Sequence, residues 1–448
     1  MRLSLRFTAA TLAMLLSSTS LAHASSFTQA LEATYRTNPV IQAERERQKA
    51  TDEGVAQALS NFRPTIGAGY ERGEQDTSIN GVSTEGSYED KNLTLNQPLF
   101  RGGSTIADYQ AAKQRVKAGQ FALSGTEQQV MLDAIAAYMD VVAASAILEL
   151  SRNNEDVLKR QLTASQERFE VGEVTRTDVA QSEARLSNSH TDVISAEGQL
   201  ISAIATYERV IGHKPEGALN VPDQLPVLPA SLEEALAKAQ VANPQLLSTI
   251  HLAKSAKYDT RNFMGTLLPQ VALVGSISRQ EGAATFGGTS DFDQDTIGVR
   301  VSIPLYQSGA EYSRVREAES IARQRKHESM DTQQIIEQQV TQAWEGLETS
   351  IATIAAREDQ IRAADIALEG VRQEQEYGAR TVLDVLDAEQ ELFIARTNLV
   401  RAQRDRVVAA YNLALTLGEL TPPNLGLDVA RYDPDEHYED VKYQFIGF

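Results

Sequence analysis

The residues best placed to do chemistry lie around one turn near position 380. Gly378 can adopt the left-handed conformation that ends a helix, and Arg380 follows it. Asp384 and Asp387 come next, three positions apart, so on a helix both carboxylates lie on one face. Such a pair attracts cations. The plainer alternative is that Asp384 caps free amides, for about 1 kcal/mol, and that Arg380 is a solvated surface residue.

A similar turn occurs earlier in the chain at a fixed distance. Gly172 and Asp178 stand 206 positions before Gly378 and Asp384 (172 to 378, 178 to 384). Two Asn-Pro pairs are 205 positions apart (39 to 244), as are two prolines that stop helical patterns (64 to 269). Matches at a nearly constant offset predict a tandem repeat, in which both halves are built from the same elements.

Each half is predicted to contain short helices, a β-hairpin, one long helix and a returning helix. The first long pattern has 66 residues without proline, which as a helix would reach roughly 100 Å at ~1.5 Å per residue. A signal peptide is predicted at 1–24 and a C-terminal tail at 421–448. The first repeat is predicted at 25–222, with a hairpin at about 65–97, a long helix at about 104–169 and a returning helix at about 178–211. The second repeat is predicted at 223–420, with the same elements at about 270–303, 310–377 and 384–417.

Alternating residues predict the strands of each hairpin. Apolar residues alternate with small or polar ones over 66–70 and again over 297–303. The polar, glycine-rich stretches 71–91 and 281–294 are predicted to be loops, and Pro98 is predicted to end its strand. One apolar face suits a barrel strand between lipid and lumen, but it also suits a half-buried hairpin of a soluble protein.

The N-terminus has the layout of a secretory signal. Arg2 and Arg6 precede an apolar core at 7–16, and Ala22-His23-Ala24 predicts cleavage that leaves Ser25 first. No later segment was expected to form a transmembrane helix, so a membrane-spanning form requires a closed β-barrel. Four strands cannot close such a barrel, since the smallest have about eight, and the chain must then oligomerise.

Composition excludes several other classes of function. The 448-residue chain has a formal charge of −19, which argues against nucleic acid, and no cysteine. Phosphate-loop, zinc-protease and serine-hydrolase motifs are missing, and the six histidines lack metal-ligand spacing. No enzyme, cofactor or metal is therefore predicted. The acidic run at 433–440 is interpreted as a solvated tail.

The two turns, together with Pro-Leu-aromatic motifs at 98–100 and 304–306, resemble the TolC family of bacterial outer-membrane efflux and type I secretion channel proteins. The resemblance covers about 27–418. It implies a mixed α and β fold, in which a trimeric outer-membrane β-barrel with four strands per protomer continues into a long α-helical coiled-coil barrel. It also implies a passive exit duct for type I protein secretion and/or multidrug efflux, in the outer membrane and extending into the periplasm.

The resemblance further implies roles for the charged residues. Asp384 and Asp387 match aspartates that form acidic rings at the pore constriction, where repulsion between three copies is expected to raise their pKa values. Arg380 matches the arginine that ties neighbouring coils together. Thr177 and Asp178 match its polar partners in the first repeat, so they are predicted to complete the gate.

The turns at Gly172 and Gly378 are predicted to dock a periplasmic adaptor (membrane fusion) protein. That adaptor would connect a homotrimer, surrounded by outer-membrane lipid, to an inner-membrane ABC or proton-driven pump. The family's archetype has a tyrosine where this chain has Gln375. Two alternatives remain, a soluble periplasmic coiled-coil structural or adaptor protein and a secreted binding module; the hairpins and the repeat favour the duct.

Overall fold

The computed structural model describes residues 27–222, 225–285 and 288–444. The predicted signal peptide lies outside these residues. The first half contains α1 (Phe27–Thr37), α2 (Pro39–Ser60), β1 (Thr65–Ile79), β2 (Val82–Arg101), α3 (Ser104–Glu170) and α4 (Arg176–Ile211). The second half contains α5 (Leu232–Ala242), α6 (Pro244–Gly265), β3 (Gln270–Thr285), β4 (Gly288–Ser302), α7 (Ala310–Glu376) and α8 (Val382–Thr416), and α9 (Pro434–Val441) follows.

The two halves have the same elements in the same order, as the offset predicts. Helices α3 and α7 have 67 residues each. In the first half α2 and α4 both pack on α3, and in the second α6 and α8 both pack on α7. Two shorter helices thus flank each long helix.

A single asparagine joins the two shorter helices at each junction. The Asn38 side chain accepts from Val40 N at 2.9 Å, which caps α2, and donates to the carbonyl of Val210 near the end of α4 at 2.8 Å. Asn243 makes the matching pair of contacts in the second half. Proline after each asparagine starts the next helix, since its missing N–H lies where none is needed.

The four strands form one antiparallel sheet in the order β1-β2-β3-β4. The predicted loop at 71–91 is wrong, because β1 and β2 continue through it to a two-residue turn. Asn80 and Gly81 form that turn with φ of 51° and 82°, the conformation of a tight hairpin. The stretch 281–294 is likewise mostly strand. Strand β2 also continues past Pro98 to Arg101, with an irregular register between Pro98 and Phe100.

The sheet exposes an apolar surface and two free edges. Ile66, Tyr70, Ile297 and Val299 are all more than half exposed, and Ile297 reaches 80%. Strands β1 and β4 each pair on one side only within the described residues. The helices follow the same order as the strands. Helices α2 and α4 lie at one edge and pack on α3, α3 packs in turn on α6 and α8, and α7 lies at the other edge.

The core lies where the helices cross near the junctions. Helix α7 buries Ile336, Val340 and Leu347, whereas Ile351 is 44% exposed in the single protomer. Helix α3 contains an 18-residue window as apolar as a membrane span, which corrects the expectation that no later segment was apolar enough. Because 56% of that window is buried inside the protein, α3 is a core helix.

The C-terminal segment is not simply a solvated tail. Part of the acidic run forms α9, which is capped by Asp433 and packs on α2. Before it, Asp428 N donates to Glu32 and Tyr432 N donates to the Tyr35 hydroxyl. The segment therefore runs along the first half of the molecule.

Candidate functional site

The two helix turns have nearly the same backbone. Gly172 and Gly378 have φ of 82° and 73°, and no atom lies within 4 Å of where a Cβ would stand on either. In each turn the amide after the glycine donates back to the helix, from Glu173 N to Arg168 O at 2.9 Å and from Ala379 N to Glu374 O at 2.8 Å. The glycines are needed for their left-handed backbone. The space beside them is open.

A capping box starts the returning helix after each turn. In the first, the Thr175 hydroxyl accepts from Asp178 N at 3.3 Å, and the Asp178 carboxylate accepts from Thr175 N at 2.8 Å. In the second, Thr381 and Asp384 make the same two bonds at 3.2 and 2.8 Å. The capping alternative raised for Asp384 is thus correct, and Asp178 makes the same cap in the first repeat.

The cap determines the ionisation of Asp384. Hydrogen bonds from the Thr381 hydroxyl and amide, aided by the charge of Arg380, hold the pKa of this carboxyl below its usual value. The sequence predicted a raised pKa from repulsion in a trimer, and within the protomer the shift is the opposite. A lowered pKa keeps Asp384 ionised, and its contribution to helix stability is lost only as the pH falls through that lowered value.

Arg380 is held within its own hairpin. Its Nε donates to Glu374 at 2.9 Å, and its Nη1 lies 4.0 Å from Asp384. Thr177 is exposed, and the bonds of the Asp178 carboxylate are to Thr175. The single protomer therefore does not bring Arg380, Thr177 and Asp178 together, and their predicted tie between coils stays a prediction for the assembled molecule.

Asp387 makes a contact that sequence reasoning missed. Its carboxylate pairs with Arg185 of α4, so it links the second helical hairpin to the first. Asp387 and Asp384 share one helix, yet their partners differ. The repeat does not identify Arg185, because the residue 206 positions later is Glu391, which carries the opposite charge (185 to 391). Only the folded chain reveals the contact.

An apolar cluster packs the two hairpins behind these charges. Leu158 of α3 is buried against Val382 and Leu386 of α8, with Val174 and Leu186 beside them. Tyr377 is 90% exposed, and Gln375 is partly buried. The turn region thus presents charged and small residues outward over a packed base. That arrangement suits contacts with another protein and an ion path.

The fold and the turns place this protein in a class of channels whose protomers combine an open sheet with long paired helices. The profile described as outer membrane efflux protein matches residues 30–213 and 235–419, once in each repeat. The chain therefore belongs to the outer membrane efflux protein family. The resemblance to the TolC family, the channel function and the outer-membrane location are confirmed, and so is the predicted fold class except for its trimeric assembly.

Two relatives and one solved structure illustrate the match. The outer membrane efflux protein BepC of Brucella suis is 36% identical over 94% of this chain and 91% of its own length. The alkaline protease secretion protein AprF of Pseudomonas aeruginosa is 26% identical over 88% of this chain and 85% of its own. The outer membrane channel CmeC of Campylobacter jejuni has a TM-score of 0.78 at 15% identity, covering 93% of this chain and 89% of that one, and supports the fold alone.

Proposed function

We propose that three copies of this chain form one exit duct across the outer membrane and the periplasm, for type I protein secretion and/or multidrug efflux. The observation that carries the proposal is the sheet with an apolar exposed face and two unpaired edges in the described protomer. An unpaired strand edge in lipid leaves backbone groups without partners. Three copies of four strands give a barrel of twelve, above the minimum of about eight.

The order of the elements supports a ring. Strand β1 and helix α2 lie at one edge of the protomer, and β4 and α7 lie at the other. A second copy that joins its β1 to β4 also brings its α2 beside α7. Because the two edges differ, the contact is head-to-tail and generates a closed ring when the rotation closes. This contact would imitate the β2–β3 and α3–α6 contacts that join the repeats within one chain.

Apolar residues on the edge helices fit the same interface. Ile194 and Ile201 of α4 are 57% and 69% exposed, and Ile366 of α7 is 74% exposed. Burial at a subunit contact would remove these side chains from water. Replacing Ile201 by Glu should therefore weaken the trimer, whereas Gln199→Glu, at an exposed position on the same helix, is the matched control.

The turns would form the gated periplasmic end. In a trimer Asp384 and Asp387 would supply two carboxylates per copy near the axis, with Arg380, Thr177 and Asp178 available for ties between subunits. The open space beside Gly172 and Gly378 supports docking of a periplasmic adaptor, which would connect the duct to an inner-membrane ABC or proton-driven pump. Because BepC is an efflux protein and AprF is an alkaline protease secretion protein, efflux and protease secretion are the two transport roles to test.

Native mass analysis and light scattering with detergent correction test the assembly, and planar bilayers test conduction. A trimer that conducts is expected, and Ile201→Glu should shift it toward smaller species. A separated monomer or dimer that conducts as well as the unfractionated protein contradicts the architecture. Crosslinking in cells followed by copurification then identifies the adaptor and pump, which separates the two transport roles.

A further inference from the structure

The C-terminal segment contacts a buried polar cluster on α2 that the channel function does not use. Asp52 has a fully buried side chain and lies 3.3 Å from the imidazole Nδ1 of His437 on α9. Gln48 is 2% exposed and donates to Asp52 at 2.6 Å. The cluster therefore joins the edge helix to the tail through a carboxylate that water does not reach.

This cluster is built around one glycine. A Cβ at position 119 of α3 would stand 2.2 Å from Gln48 Oε1, so only Gly119 leaves room for that amide. Gln48 Oε1 has no hydrogen bond within the described residues, although its Nε2 is bonded to Asp52. A buried amide oxygen without a partner is unfavourable.

The second repeat does not copy the cluster. At the same offset α6 carries Ala253 and Lys257, where α2 carries Gln48 and Asp52 (48 to 253, 52 to 257). The junction asparagines and the capping boxes are repeated, so the common fold accounts for those. Asp52 and Gln48 occur only in the half along which the C-terminal segment runs. Their role is therefore tied to that segment.

Three further contacts hold the same segment to α2 and α3. The Arg45 guanidinium lies over the rings of Tyr35 and Tyr432, at 4.6 and 4.8 Å from the centroids. Gln120 of α3 donates to Asp435 at 2.7 Å. Tyr438 packs against an apolar cluster of Val55, Ala58, Ala112 and Val116. Arg45 and Asp52 are seven positions apart, so both lie on the face of α2 that meets the segment.

We propose that residues 428–444 form a strap that fastens the edge helix α2 onto α3, and that the His437–Asp52 contact makes its docking weaken as the pH rises. The strap is a conformational device rather than part of the transport path. It acts on α2, the helix that lies at the free edge of the protomer. The inference rests on contacts within one chain and is independent of the proposed trimer.

The direction of the pH effect follows from the burial of Asp52. Desolvation raises the pKa of its carboxyl, and hydrogen bonds from Gln48 and His437 oppose that rise. The docked strap therefore retains a proton that the released strap gives up at the same pH. Docking is strongest below the ordinary pKa of the carboxyl, and it is lost as the pH rises through the raised value.

The surrounding charges favour the same sign. Asp435 of the strap raises the pKa of Asp52 further, and Tyr432 also interacts with it electrostatically. Helix α3 contributes the uncharged Gly119 and the Val116 carbonyl, to which Gln48 donates at 3.4 Å. The basic side chain in contact with Asp52 is that of His437.

The absence of native cysteines allows a direct test on the full-length protein in detergent. A nitroxide on Asp440→Cys reports the mobility of α9, and one on Glu358→Cys of α7 reports a distant helix. Spectra over a urea series at pH 3.5, below the ordinary pKa of an aspartate, and at pH 7.5 give the ratio of docked to released strap. We expect the parent strap to be released at a lower urea concentration at the higher pH. The Glu358→Cys label should not change.

Three variants decide the outcome. Asp52→Asn retains the acceptor for Gln48 but cannot ionise, so its strap should release at the same urea concentration at both pH values. His437→Ala should release at a lower urea concentration than the parent strap at pH 7.5, because it removes the contact with Asp52. His190→Ala removes a solvent-exposed histidine–glutamate pair and is the matched control. A parent strap with no pH dependence overturns the proposal, as does an Asp52→Asn strap that keeps it or a His437→Ala strap that docks like the parent.

Discussion

Asn243 joins two helices through one buried side chain. The loss of stability on replacing it can therefore be worked out from its two contacts. The side chain is 5% exposed, accepts from Leu246 N at 3.1 Å and donates to Thr416 O at 2.9 Å. Asn243→Ala removes the cap of α6, for about 1 kcal/mol, and leaves a carbonyl without its partner, for about 1–3 kcal/mol. The expected loss is about 2–4 kcal/mol.

Native-state hydrogen exchange measures this loss where it occurs, in the first turn of α6 and the last turn of α8. Since about 1.4 kcal/mol is ten-fold, protection there should fall between about 30-fold and several hundred-fold. Ser231→Ala is the matched control, because Ser231 caps α5 from an exposed position and makes no second contact of this kind. It should lose only the capping part.

Asn243→Asp separates the two contributions. Aspartate keeps the acceptor that caps α6 but cannot donate to the Thr416 carbonyl, so protection should fall at the end of α8 more than at the start of α6. If Asn243→Ala costs no more than Ser231→Ala, the asparagine is an ordinary cap and the junction is held by packing alone. Asn38→Ala should repeat the result in the first half.

The remaining predictions concern the turns. Arg185→Ala should increase channel opening in planar bilayers, because three exposed ties of about 0.5 kcal/mol each amount to about a ten-fold change in the open-to-closed ratio; unchanged opening would mean that the pair is not a restraint. Asp384→Asn should reduce cation selectivity and block by trivalent cations; equal block in the variant and the parent would remove this carboxylate from the ion path. Gly172→Trp should abolish export while the trimer persists; normal export would indicate that adaptor docking occurs elsewhere.

The repeat made most of the fold predictable. A fixed offset aligned the prolines, glycines and alternating stretches of the two halves, so each weak local signal was supported by a second copy. The long helices were predicted from the absence of proline over 66 residues. The structure shows this agreement in the 67-residue lengths of both α3 and α7.

The strand lengths were missed for an identifiable reason. Polar residues on both faces of 71–91 lack the apolar alternation on which strand prediction depends, and the stretch was therefore assigned to a loop. The Asn80-Gly81 pair was the available signal, since that dipeptide suits a two-residue hairpin turn. Backbone pairing, rather than a buried face, continues the strands as far as this turn.

The ion pairs of the site were not accessible from sequence. The spacing placed Asp384 and Asp387 on one face, but which cation approaches each depends on how two helical hairpins pack. Arg185 reaches Asp387 across that packing, and Glu374 takes Arg380 within its own hairpin. The tail was missed similarly, because a run of acids predicts a solvated segment and gives no sign that His437 reaches a buried partner.

The two aspartates near the predicted constriction therefore have different effects on gating. Asp384 is bound to its own turn, and asparagine at that position can still accept the capping bond, so its substitution removes charge with little change in the hairpin. Asp387 is bound to Arg185 in the first helical hairpin of the same chain, so its substitution removes both a charge and a restraint. Asp384→Asn should alter selectivity without altering opening, whereas Asp387→Asn should alter both. Equal phenotypes would mean that the Arg185 contact does not restrain the gate.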